Sequence, residues 1–308
     1  MIEVTTIGWL TIDDIVLRDG TCKFGSRGGG ALYSAVGAHL WTSHVGIHSV
    51  AGSPYYEETL NQIRARGIDA TSISRSDGNG LELWLLHESE IHKQQVPKVS
   101  SSNALGLDVE RGQVRGPHAE AAGFHIAPQG PESSVANARY LASLSHRPIV
   151  TMDILADTFI NASAYRDLHF LEYLTAFLPS EAEIARIWHP NSIETWLQKN
   201  AARYGCHLVA KLGERGSLVC EASTAILTHV PAFPAAVVDT TGAGDSYCGG
   251  FIAGLIAGKD PVTAAAMGTV SASYVVESYG ALETRIPTRD ERTARLNQVL
   301  ADIRATSF

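Results

Sequence analysis

One short stretch carries the residue types needed for group-transfer chemistry. Val238-Asp239-Thr240-Thr241-Gly242-Ala243-Gly244-Asp245 runs straight into Ser246–Leu255, where Phe251, Ile252, Leu255 and Ile256 recur at helical spacing. Gly242 and Gly244 let the backbone turn without Cβ obstruction just ahead of that helix, so several N–H groups converge at the positive end of its dipole. Such a point favours an anion, phosphate above all. A carboxylate beside it, Asp245, can take a proton from an acceptor hydroxyl while the N–H groups stabilise a transferring phosphoryl group. For a lone aspartate, the commoner role is merely to complement the helix dipole. The two glycines in front of it tilt the balance toward chemistry.

Competing glycine signatures fail at identifiable positions. A dinucleotide fingerprint needs glycine three residues after Gly244, where Tyr247 stands, and Gly254–Asp260 is one residue short of a P-loop. That second segment reads as a helix C-terminus capped by Gly258. Gly249, Ala253 and Ala257, four apart, form a stripe that lets the helix lie close to a sheet or ligand.

Asp239–Asp245 is similar to the C-terminal signature of the ribokinase-like, or PfkB, carbohydrate kinases. Two further segments carry the resemblance: Gly28-Gly29-Gly30-Ala31 resembles the family's glycine-rich sugar-binding motif, and Lys211–Ser217 its nucleotide-side loop. The resemblance implies an ATP-dependent kinase acting on a sugar-like hydroxyl. Asp245 would be the base, with the N–H groups of Gly242, Ala243 and Gly244 as anion hole. Asp13, by its position after Gly8, would hold acceptor hydroxyls with Gly28 and Gly29. Lys211, Gly213 and Gly216 would face the nucleotide. Glu183 matches the glutamate of an Asn-x-x-Glu motif that organises Mg2+ and phosphate through water, and Ser180 replaces the asparagine. Asp239 and Thr240 match positions beside a monovalent-cation site, implying K+.

Several of these residues have plainer readings. Ser180–Glu183 is also a capping box, Asp13 and Asp14 also read as solvated turn carboxylates, and Lys211 either reaches an ATP phosphate or ends a strand in solvent. His39, His44 and His48 have metal-like spacing but read as core or surface histidines. Tyr33 and Thr11 stand where ribokinase carries asparagines. Exchanging two amides for a ring and a short hydroxyl points to an acceptor with a flat or less hydroxylated part, such as a nucleoside, deoxy sugar or cyclitol.

The remainder of the chain must position these groups. Short apolar runs at Ile2–Leu10, Gly123–Ala127, Pro148–Asp153 and Thr175–Pro179 are spaced as β-then-α units, the last three each followed by a helical pattern, implying a parallel sheet with ligands at the strands' carboxyl ends. Thr11–Leu17 and Leu81–His87 alternate as strands of a small sheet. Pro97–Gly116 reads as an exposed excursion. The expected class is α/β, ribokinase-like, with a central mostly parallel sheet flanked by helices. Residues 1–308 form a single domain in this reading, with β-lid strands near 11–26 and 81–96.

The composition fits that picture. The chain has 308 residues, 45% of them hydrophobic, and a formal charge of −8 from 24 basic and 32 acidic side chains, which disfavours a nucleic-acid surface. Four cysteines without CxxC spacing, no signal-like start and no membrane-length apolar run lead to the expectation of a cytoplasmic protein. An uncovered lid sheet would favour pairing with a second copy, and the sequence leaves the oligomeric state open. Two rival functions are a nucleoside kinase of the same fold and a silent sugar- or nucleotide-sensing protein. The intact base and glycines speak against the latter.

Overall fold

The computed structural model describes residues 1–87, 93–109, 114, 116–155 and 161–306. The N-terminal part runs β1 (Val4–Ile7), β2 (Thr11–Val16), β3 (Cys22–Gly28), α1 (Gly30–His39), β4 (Val45–Gly52), α2 (Tyr56–Ala65), β5 (Asp69–Ser76), β6 (Leu81–His87) and β7 (Lys93–Pro97). After it come β8 (Gly123–Ile126), α3 (Pro131–Ala142), β9 (Ile149–Met152), β10 (Ala176–Phe177), α4 (Glu181–Trp188), α5 (Ile193–Tyr204), β11 (His207–Lys211), β12 (Ser217–Cys220) and β13 (Leu227–Val230). The chain closes with α6 (Ala243–Ile256), α7 (Pro261–Val275) and α8 (Arg289–Thr306).

Nine strands form a central sheet in the order β13-β12-β11-β10-β9-β8-β1-β4-β5, parallel from β5 to β11 and antiparallel at the β12 and β13 edge. Its middle strands are short and buried except at Ile149, as a sheet covered on both faces requires. The carboxyl ends of β1, β8, β9 and β11 therefore point the same way, and the segments that follow them carry Trp9, Pro128, Asp153 and Gly213 to one edge of the sheet.

A separate sheet, β3-β2-β6-β7, matches the expected lid strands, although residues 88–92 of the 81–96 range lie outside the described residues. Strand pairing puts Asp13 opposite Leu83, and Ile15 and Gln95 opposite Leu85, so these side chains share the inner face. Trp84 and Val96 share the outer face, where Trp84 meets Phe24 edge-on and all three side chains are exposed.

The site is brought together by helix packing. Helix α6 is small on two sides. A Cβ on Gly249 would collide with the carbonyl oxygen of Ser34, and one on Gly37 with that of Ser246, so α1 and α6 cross almost backbone to backbone. On its other side, a Cβ on Gly254 would lie 2.8 Å from Cα of Ala264 in α7. Of the stripe Gly249, Ala253 and Ala257, Gly249 thus packs on α1, Ala253 is buried and Ala257 is exposed, while Gly250 and Gly254 form the face against α7.

Three local expectations are corrected. The 97–116 excursion is not simply exposed, since Leu107 and Val109 are buried in the core. After β9 the described residues form short 3-10 turns at Ala162–Tyr165 and Leu168–Tyr173 instead of an α-helix. Val237 and Val238, read as an apolar approach, are 62% and 40% exposed in irregular chain. The four cysteines are free. Among the described residues no helix is long and apolar enough to cross a membrane, and no group of three or more His, Cys, Asp or Glu side chains is arranged to hold a metal ion.

The helix crossing yields a stability prediction. Gly249→Ala should cost about 1–3 kcal/mol in denaturant unfolding, because the obstructing atoms are backbone and cannot swing aside. Gly106→Ala, where a Cβ meets nothing within 4 Å, should stay within about 0.5 kcal/mol of the parent. Equal effects at the two positions would refute the crossing as a constraint.

Candidate active site

The N-terminal ends of α1 and α6 open onto a cavity of about 350 Å³. Gly242 caps α6 in the left-handed conformation, φ 74°, and this turn presents the first-turn N–H groups to the cavity. The Ala243 N–H closes the turn onto the Thr240 carbonyl at 3.2 Å, and the Thr241 N–H goes to Asp239 Oδ1 at 2.9 Å. The N–H groups of Gly242 and Gly244 have no acceptor among the described residues. Gly242 and Gly244 thus keep N–H groups open to an anion, while the Ala243 N–H also holds the loop's shape.

Asp245 lies in the first turn of α6 and lines the same cavity. Its Oδ1 would be 2.9 Å from a Cβ on Gly30, so a bare backbone at the start of α1 is what lets the carboxylate reach across. Tyr33, one turn further along α1, packs its ring so tightly on Gly242 that no side chain would fit there. The ring is 2% exposed, and burial followed by the nearby Asp13, Asp239 and Asp245 pushes its hydroxyl well above the usual range. Tyr33 therefore supports the loop with its face and offers the cavity only an edge.

Asp13 and Thr11 face the cavity from β2. Gly28 does not line it but lies directly beneath, because a Cβ there would run into Asp13 Oδ2 and approach Thr11 Oγ1 at 2.9 Å. Gly29 is in the left-handed region, φ 96°, and packs on the backbone of Trp9 and Leu10. Gly213 lines the cavity, and Gly216 sits behind the β11–β12 turn, where a Cβ would run into the Val230 carbonyl.

Lys211 is not a solvated strand end. Its ammonium is ion-paired to Asp153, lies 3.8 Å from the Cys248 sulfur, and would be 3.3 Å from a Cβ on Gly244. Burial alone would lower its pKa, but the carboxylates of Asp153 and Glu183 outweigh burial and hold it above its ordinary value. Burial pushes Asp153 up to about 6 against the opposing pull of Lys211. Glu183 is raised by burial, and it completes the capping box in which Glu183 Oε2 accepts from the Ser180 N–H at 2.6 Å. Both the capping role and the place in the cavity are therefore real features of Ser180 and Glu183.

Asp239 is buried behind the glycine loop, and Thr240, though exposed, lines the cavity. Asp239 Oδ1 receives the Thr241 N–H and lies 3.4 Å from His87 Nε2, while its buried Oδ2 has no partner among the described residues. A buried carboxylate oxygen without a donor is a fitting ligand for a cation.

Sequence reasoning missed Asp153, Trp9, His87 and Gln95. Asp153 directly follows β9 and Trp9 closely follows β1, so their place at strand carboxyl ends was available as a signal. His87 and Gln95 had none, because their aim depends on how the small sheet is tilted over the large one. The apolar lining of the cavity is Trp9, Leu81, Leu83, Leu85, Pro128, Ile154 and Leu155, and Gln95 also lines it. Trp9 is fixed by a 2.8 Å hydrogen bond from Nε1 to Asp108. A larger, open groove of about 590 Å³ beyond the Gly213–Arg215 turn contains neither the glycine loop nor Asp245, so the smaller cavity is the candidate active site.

Known proteins share the fold. The chain is 26% identical over 289 residues to a cytidine kinase of Thermococcus kodakarensis, covering 91% of this chain and 98% of that one. A nucleoside kinase of Burkholderia thailandensis in complex with inosine has the same fold, with a TM-score of 0.76 at 17% identity, covering 97% of this chain and 98% of that one. A ribokinase of Cryptococcus neoformans in complex with ADP superposes with a TM-score of 0.73 at 17% identity, covering 96% and 100%. The family model for pfkB family carbohydrate kinases matches residues 24–289, from β3 to the start of α8. The strand order, the paired helix starts and this match lead to one conclusion: the chain belongs to the pfkB family of carbohydrate kinases, phosphotransferases with an alcohol group as acceptor.

Proposed function

We propose that the protein transfers the γ-phosphoryl group of ATP to a hydroxyl of a small acceptor that is sugar-like at one end and flat and apolar at the other, a nucleoside being the class that fits best. The observation that carries this reading is the juxtaposition of Asp245, held against Gly30, with the open N–H groups of Gly242 and Gly244 in one cavity. Thr11 and Asp13 offer polar groups from β2 directly beside Leu81 and Leu83 of β6, and Trp9 and Leu85 extend this apolar wall. A sugar with hydroxyls all around would leave several against those leucines, at about 1–3 kcal/mol for each buried group left unpaired.

In this mechanism Asp13 holds the acceptor's hydroxyls and Asp245 takes the proton from the attacking one. The Gly242 and Gly244 N–H groups stabilise charge on the transferring oxygens in a site already formed before the substrate arrives. Lys211 stands beside Gly244 and moves onto the phosphate from Asp153. Asp153 and Glu183 supply carboxylate oxygens of the kind Mg2+ prefers, through its waters, and the ion would neutralise charge on the nucleotide. Asp239 Oδ2 would hold K+, and Thr240 shapes the loop through its carbonyl. The small sheet acts as a lid that excludes water, and residues 1–308 work as one domain. Its exposed outer face, with Phe24, Trp84 and Val96, suits pairing of two lids in a homodimer.

Three outcomes test this reading. Asp245→Asn should lower kcat at least about a hundredfold and leave ATP affinity within a few-fold, because the base touches the acceptor and not the nucleotide. Near-normal turnover would remove Asp245 as base. Lys211→Met should destabilise the fold by about 3–5 kcal/mol by stranding Asp153, and adding Asp153→Asn should restore stability without restoring turnover. Recovery of both would make the pair purely structural. Replacing sodium by potassium should raise the rate, and identical rates in the two salts would contradict a cation at Asp239.

A further inference from the structure

Among the described residues, Gln95 is the one amide on an inner face otherwise built largely from leucines. It sits on β7 directly opposite Leu85 of β6, and Leu85 in turn pairs with Ile15 of β2. Leu83, one step back along β6, stands opposite Asp13. Gln95 is thus two strand spacings, roughly 10 Å, across the sheet from the strand of Asp13. That span is longer than one sugar ring. An acceptor whose hydroxyls meet Asp13 and Asp245 must carry a second group to touch Gln95, and that group would lie along Leu83 and Leu85.

A glutamine amide offers a donor and an acceptor side by side in one plane. Placed at the margin of an apolar slot, it matches a flat ring that carries the complementary pair on one edge, as pyrimidine and purine bases do. We infer that Gln95 is a specificity-determining residue that reads the polar edge of a nucleobase-like ring on the acceptor, delivered to it by the small sheet. The inference rests on the acceptor reading above and names the residue that enforces it. Closing the sheet over the cavity then does two things at once, excluding water and checking the acceptor's far end. A ring lacking that edge would leave the amide dehydrated and unpaired, so discrimination arises from a lost partner and not from a clash.

The test compares kcat/KM for cytidine, uridine and inosine with that for methyl riboside, which keeps the sugar and lacks the ring. Expected is a fall of at least about tenfold in the nucleoside-to-riboside ratio in Gln95→Leu, with unchanged KM for ATP and unchanged melting temperature. Gln95→Glu, which can only accept, should lower the ratio for all three nucleosides, because each ring presents one acceptor beside one N–H donor and the carboxylate loses the partner for the acceptor. A ratio that stays constant in both variants overturns Gln95 as the reading residue while leaving the kinase assignment intact. If the parent enzyme prefers methyl riboside or a hexose to every nucleoside, the ring slot itself is wrong and the inference falls with it.

Discussion

The near-contact of two helix backbones, α1 on α6, is the constraint from which the active site follows. Gly37 against the Ser246 carbonyl and Gly249 against the Ser34 carbonyl fix the distance between helices that each begin in a glycine-rich turn. With the crossing set, the start of α1 must lie beside the start of α6. Asp245 then meets Gly30, and Tyr33 meets Gly242. Asp245 and the glycine turn are aligned by closely packed backbone, the kind of support that preorganised electrostatic stabilisation requires. Only glycine tolerates the left-handed turn at Gly242 together with the ring packed upon it.

Charge is distributed around this frame with little redundancy. Lys211 is a buried cation held between Asp153 and Glu183, next to the turn that would receive phosphate. Burying one ammonium among carboxylates is costly unless the pairing is good, so the cluster contributes placement more than stability. Asp239 acts differently, bracing the loop through the Thr241 N–H and contacting His87 of the small sheet. The glycine loop and the small sheet therefore meet at one carboxylate.

Part of this was legible in the sequence. The glycine turn and Asp245 were readable because their chemistry depends on local spacing, and the β-then-α rhythm was readable because a covered parallel sheet demands apolar runs. Ser180–Glu183 was readable as a capping box for the same local reason. The partners of Lys211 were not, since Asp153 comes from a strand two places away in the sheet and only the fold makes them neighbours. The engagement of the Ala243 N–H by Thr240 was equally hidden, because it depends on the loop's dihedral angles. Tyr33 was readable as a change of pocket chemistry, but its ring supports Gly242 instead of lying open to the acceptor, a choice made by helix packing. Trp9 was readable only as part of an apolar first strand, and Gln95 required the tilt of one sheet over the other, which no local pattern encodes.

The most direct measurement is a crystal structure with MgADP, aluminium fluoride and an acceptor nucleoside. The fluoride mimics the transferring phosphoryl group, and the account places it within hydrogen-bond reach of the Gly242 and Gly244 N–H groups, with the acceptor hydroxyl between it and Asp245. A fluoride bound away from that turn, or an acceptor whose hydroxyl faces a group other than Asp245, would contradict the account.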